Sequence, residues 1–315
     1  MNKLIALPVA GALFVAGCAA ESSSAAADGE TIVVSGSATV EPITRHIAQR
    51  TGYTVDITAD GSTDGFDAFC TGDSDINNSS VAIPGAGEDT DFQAMCADNG
   101  VEYIELPIAL DAITIVKNDA NDWATDLSME QLREIWSADS SVTQWADINP
   151  AWPAENITLV GRPEGSGTLG VFDEIALGGQ TMRDDYAATD DINELSEWIA
   201  EDVNAIGFMG VGNYLATAGP IRDRIDNVLI DSIAPTAEQT QSGAYPISRP
   251  LFIYVNVNSL NGSGANVEGF VTEYLNRVES VVPREYFYTL PEQEYDAARQ
   301  RFEDRVTGPE ERWRA

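Results

Sequence analysis

The stretch Gly161-Arg162-Pro163-Glu164-Gly165-Ser166-Gly167-Thr168 decides how this chain is read. It follows the apolar run 157–160, which reads as a strand, and leads into a helical pattern reaching residue 177. A helix start leaves about four backbone N–H groups without intrahelical acceptors and carries roughly half a positive charge. Glycines at 165 and 167 let a ligand approach the backbone closely. Ser166 and Thr168 add hydroxyl donors. Arg162 brings a planar guanidinium that can grip a tetrahedral oxyanion through paired hydrogen bonds. Glu164 is near enough in sequence to hold it. Taken alone, the segment also reads as an ordinary helix cap with a surface ion pair, worth ~0–1 kcal/mol.

The same succession of strand, small polar loop and helix recurs upstream. Residues 31–34 read as a strand, Ser35-Gly36-Ser37-Ala38-Thr39 follows, and a helix is expected over about 41–50. Residues 53–58 alternate as a strand, then come Gly61-Ser62-Thr63-Asp64-Gly65 and a short helix through residue 69. Asp75-Ile76-Asn77-Asn78-Ser79-Ser80 is the third small polar segment, with a helix near 89–97. Strands alternating with helices indicate an α/β fold with mixed, mostly parallel sheets.

Composition narrows the chemistry. The chain has 315 residues with 51 acidic and 17 basic side chains, a net charge of −34 that argues against nucleic-acid binding. A single histidine, His46, rules out a multi-histidine metal site, and its mid-helix place reads as structural. No cofactor is expected. The 161–168 stretch lacks the lysine of a nucleotide-binding P-loop. Thr63, not a serine, stands at the centre of the 61–65 glycine frame, which speaks against a nucleophile elbow. A phosphatase or hydrolase is therefore the weaker alternative to a binding protein.

The N-terminus reads as an export signal. Lys3 precedes an apolar run over 4–15, too short for a bilayer span of ~20 residues. The run ends in Val15-Ala16-Gly17-Cys18, which resembles a bacterial lipoprotein cleavage site. Residues 1–17 would then be removed, Cys18 would carry the lipid, and 18–30 would be a tether. The alternative is an ordinary signal cut near Ala20. Cys70 and Cys96 remain, and in an oxidising compartment such a pair reads as a disulfide, with two buried thiols as the alternative.

Together the loops resemble the phosphate-binding lipoprotein of the high-affinity phosphate ABC transporter (PstS-type), a class II periplasmic binding protein. The resemblance covers about 31–282. Its most specific part is the 161–168 stretch, similar to the family's Arg-x-[Asp/Glu]-Gly-Ser-Gly-Thr segment, which implies phosphate contacts from Arg162, Ser166, Gly167 and Thr168. Gly36-Ser37-Ala38-Thr39-Val40 is similar to a Gly-x-Gly-Ala-Thr-Phe loop and implies the Thr39 hydroxyl and Val40 amide, with Ser37 behind them. Gly61-Ser62-Thr63-Asp64-Gly65 implies Ser62. Leu132-Arg133-Glu134-Ile135-Trp136, Trp145-Ala146-Asp147-Ile148-Asn149-Pro150 and Asn204-Ala205-Ile206-Gly207-Phe208 look like structural landmarks of the family.

The chain departs from the family at one place. Some members end the third loop with an aspartate that accepts the proton of hydrogen phosphate; the matching position here is Ser80. Asp64 could supply the acceptor or be a helix cap. This keeps another tetrahedral oxyanion (sulfate, molybdate or a phosphonate) as an alternative ligand. The family implies two α/β lobes joined by two crossing hinge strands, for which 108–116 and 251–257 are the apolar candidates. Lobe I would be 31–110 with 250–315, and lobe II 111–249. It also implies a periplasmic, lipid-anchored, monomeric receptor with ABC permease subunits as partners.

Overall fold

The computed structural model describes residues 30–261 and 265–313. The expected export signal, Cys18 and the tether up to residue 29 lie outside these.

Eleven strands are present among the described residues: β1 (Ile32–Gly36), β2 (Val55–Thr58), β3 (Ile76–Ser79), β4 (Tyr103–Asn118), β5 (Asp126–Leu127), β6 (Thr158–Gly161), β7 (Ala187–Ala188), β8 (Ala205–Gly210), β9 (Ile225–Asn227), β10 (Leu229–Ile230) and β11 (Ser248–Asn256). Nine form one sheet, eight of them in the order β2-β1-β3-β11-β4-β8-β6-β7 and the ninth, β9, off this path on β4. Pairing is parallel within each wing, β2-β1-β3 and β8-β6-β7, and antiparallel where β3, β11, β4 and β8 meet. The fold is the expected mixed α/β arrangement.

β4 and β11 are the two crossing strands. β4 is buried along all 16 residues, which is why the run 108–116 reads as apolar. Through Ala112 it pairs with β11, and from Ile113 it pairs with β8. The buried side chains divide at the same place. Buried residues from Ile32 to Leu110 and from Leu251 to Phe302 build two clusters, and those from Ala112 through Ile247 build two others.

Two local expectations are revised. Residues 76–79 are not a loop but a fully buried strand, β3. Its asparagines suggest exposure, yet Asn78 Oδ1 accepts a 2.9 Å hydrogen bond from Thr44 on the helix Glu41–Thr51, which lowers the cost of burying it. The helical pattern to 177 is two pieces, an α-helix Gly167–Val171 and a π-helical turn Phe172–Ala176. Cys70 and Cys96 form the disulfide, closing a 26-residue separation.

Candidate functional site

The 161–168 stretch is folded by its glycines and by partners far away in sequence. Gly161 ends β6 with no room for a side chain: an added Cβ would come 2.5 Å from the Phe208 ring. Gly165 has φ +86°, the left-handed region that glycine tolerates. The turn closes through a 3.1 Å bond from Ser166 N–H to the Pro163 carbonyl, and the helix starts at Gly167. Ser166, at the cap, makes no side-chain bond to that helix. The first-turn amides of Gly167 and Thr168 therefore lack a capping acceptor.

Arg162 is held in a fork. Its Nη1 donates to the carbonyls of Asp190 (2.6 Å) and Thr189 (3.1 Å), Nη2 to Asp190 Oδ1 (3.2 Å), and Nε to Ser166 Oγ (3.4 Å). The guanidinium is 14% exposed. Glu164, expected to hold it, is exposed, and Asp190 takes that place. The reason is geometric: β6 and β7 are parallel neighbours, which brings residue 190 beside Arg162 although 28 positions separate them.

The first loop faces this cradle from the other half of the molecule. Ser37 is buried and organises it: its Oγ accepts from Thr39 N–H and its carbonyl from Val40 N–H, each at 3.2 Å. The Val40 amide, expected to meet the ligand, is therefore engaged within the loop, and its side chain is fully buried. Thr39 Oγ1 points at the helix start: a Cβ built on Gly167 would lie 2.8 Å from it. Thr39, Arg162, Ser166, Gly167 and Thr168 line one cavity of about 350 Å³.

Ser62 and Ser80 form a second group, outside the lining of that cavity. Ser80 N–H donates to Ser62 Oγ at 3.1 Å, and the two hydroxyls are 3.3 Å apart. Their segments adjoin the first loop, because Gly61 N–H donates to the Gly36 carbonyl at 3.1 Å and Gly65 packs directly on Gly36. Asp64 is exposed in the first turn of the helix Ser62–Cys70 and does not line the cavity.

Residues 20–277 match the family model described as the PBP superfamily domain. This chain belongs to the PBP superfamily. It is similar to Protein SphX of Synechocystis sp., with 34% identity over 280 residues that cover 85% of this chain and 80% of that protein. It is also similar to the phosphate-binding protein PstS of Staphylococcus saprophyticus, at 27% identity over 85% of this chain and 83% of that one. Among solved structures it resembles a possible phosphate binding protein from Planctomyces limnophilus. There the TM-score is 0.77 at 28% identity, over 88% of this chain and 99% of the other.

In this PBP-superfamily chain the cavity has walls that the loop motifs do not reveal. Asp111 on β4, Asn213, Glu285, Tyr286 and Phe287 also line it. Asp111 is 6% exposed. Burial pushes its carboxyl above the usual carboxylate range, against the opposing pull of the Arg249 guanidinium 3.7 Å away. Its sequence signal is a charge inside an otherwise apolar crossing run. Glu285 meets His46 Nδ1 at 2.5 Å, which gives the single histidine a structural partner on the helix Glu41–Thr51. Nothing local marks Asn213 or Tyr286: they reach the cavity only because the segments after β8 and near 285 face each other. A Cβ on Gly212 would come 2.1 Å from the Tyr286 carbonyl.

Proposed function

We propose that this chain binds inorganic phosphate between its two lobes and delivers it to an ABC-type permease. The observation that carries the reading is the single cavity in which Thr39 from one half meets Arg162, Ser166, Gly167 and Thr168 from the other. A small oxyanion there would face the positive charge of the Arg162 guanidinium and first-turn amides on one side and the Thr39 hydroxyl on the opposite side. Charge-assisted hydrogen bonds contribute about 1.5–3 kcal/mol each, so a few of them outweigh the repulsion of an acidic surface screened beyond ~8 Å. Ser62 and Ser80 are the reserve donors of this reading, reaching the anion when the lobes close. The lobes are 31–110 with 250–315, and 111–249, a division supported by where the buried clusters part. The similarity to the staphylococcal phosphate-binding protein PstS supports the ligand.

The receptor of this proposal is monomeric, non-catalytic, exported to the periplasmic side and anchored through a lipid on Cys18, the motif being the support for the anchor. Calorimetry with phosphate, sulfate, arsenate and molybdate tests the ligand. Phosphate is expected to bind most tightly, and Arg162→Ala to weaken it by at least ~2 kcal/mol, about 30-fold. Sulfate or molybdate binding more tightly than phosphate would replace the ligand, and steady phosphate release from a monoester by pure protein would replace a receptor with an enzyme.

A further inference from the structure

We propose that Arg249 is a positioning residue for the anion cradle, tying the helix that starts at Gly167 to the crossing strands at the cavity floor. This deepens the phosphate reading and rests on it.

Arg249 lies on β11 as the cross-strand partner of Asp111 on β4, one residue before β4 exchanges β11 for β8. Its guanidinium is 12% exposed and divided between two carboxylates. Nη1 donates to Glu174 Oε2 at 3.1 Å, whereas Nε faces Asp111 Oδ2 at 3.7 Å and makes no hydrogen bond. Glu174 belongs to the π-helical turn Phe172–Ala176, which continues the helix Gly167–Val171 without a break. π turns are rare and concentrate at functional positions. Phe172 stacks on Phe208 at 4.2 Å between ring centres, so the turn is pinned to the core of its lobe while Glu174 reaches out to β11. Asp111, at the other end of the bridge, lines the cavity with Arg162 and Gly167.

The bridge therefore joins the element that offers amides to an anion to the strands about which the lobes move. It also compensates a buried carboxylate beside an anion site. Removing one partner of a buried pair leaves the other charge uncompensated. Without Arg249, Asp111 would repel the incoming anion whenever it is ionised. Arg249 from β11 faces Asp111, Glu174 from the π turn faces Arg249, and Arg162 from the loop after β6, Glu285 (paired with His46) and Tyr286 line the same cavity as Asp111. Tyr288, whose backbone bonds Leu110, stays neutral because burial pushes its phenol upward.

Phosphate affinity of wild type, Arg249→Gln, Glu174→Gln and the double variant Asp111→Asn/Arg249→Gln, measured by calorimetry between pH 5 and 8, tests the bridge. Arg249→Gln is expected to bind at least tenfold more weakly at pH 8, with the loss shrinking toward acid as Asp111 takes a proton. The double variant should recover most of the loss. Glu174→Gln, at a half-exposed position that leaves the fold intact, should weaken binding about threefold or more with an unchanged melting temperature. Variants within twofold of wild type, or an Arg249→Gln loss that is independent of pH and not rescued by Asp111→Asn, would overturn the bridge alone. If Arg249→Gln does not fold, Glu174→Gln decides. A wild-type protein that bound no phosphate would overturn the underlying reading, and the bridge with it.

Discussion

Thr39 and Gly167 show how little space separates the two halves at single-residue scale. A methyl on Gly167 would press on the Thr39 hydroxyl at 2.8 Å, so Gly167→Ala should turn that hydroxyl away. Thr39→Val removes it outright. Each change is expected to cost about 1.5–3 kcal/mol of phosphate affinity, the value of one hydrogen bond to a charged group. The double variant should lose hardly more than either single one, because both act on one contact. Full additivity in calorimetry would separate the two residues. At this scale the sequence is readable where the chemistry is contiguous: Arg162, Ser166, Gly167 and Thr168 lie within seven positions and arrive at the cavity together. Asp190 and Asp111 are not readable as its neighbours, because the parallel pairing of β6 with β7 and the traverse of β4 bring them there. Glu164 illustrates the error: proximity along the chain suggested a partner, and the strand geometry supplied a different one.

At the scale of elements, hydrophobic patterning locates nearly every strand and helix that carries a loop, since a buried face must repeat with the period of its backbone. It fails at β3, where Asn77 and Asn78 are buried by hydrogen bonds that no periodicity reports. It also misses the π turn, because the extra residue leaves the apolar positions Phe172 and Ala176 still buried. The disulfide is legible as arithmetic on three cysteines. It joins the ends of the helices Ser62–Cys70 and Phe92–Asp98 below the loop that carries Ser62. Cys70→Ala/Cys96→Ala should therefore destabilise the protein by about 3 kcal/mol in denaturant titration. Ser62 and the first loop, at the opposite end of the helix, should keep their geometry. A loss of phosphate affinity larger than a few-fold in the folded double variant would contradict that separation.

For the whole molecule, charge and topology make different demands. The chain carries −34 overall, and a dianion approaching it is repelled before any donor can act. Association with phosphate should speed up as salt rises from low ionic strength, since screening removes a repulsion rather than a steering field. Dissociation should change little, because the contacts that hold the anion lie within a few ångströms. A stopped-flow association rate that fell with salt would mean that the cavity mouth presents a positive field. Composition foretells the sign of this effect, but not where the residual cations sit, since Arg162 and Arg249 are both largely buried.

The side-by-side pairing of Asp111 with Arg249 has a bearing on how such a chain can be divided. The middle segment departs and returns through adjacent strands, about 5 Å apart. Its two ends are neighbours in space although almost half the polypeptide lies between them. A chain with that geometry can be cut and rejoined there, so the inserted half could be exchanged, relocated to a new terminus or replaced by a reporter without rebuilding the remainder.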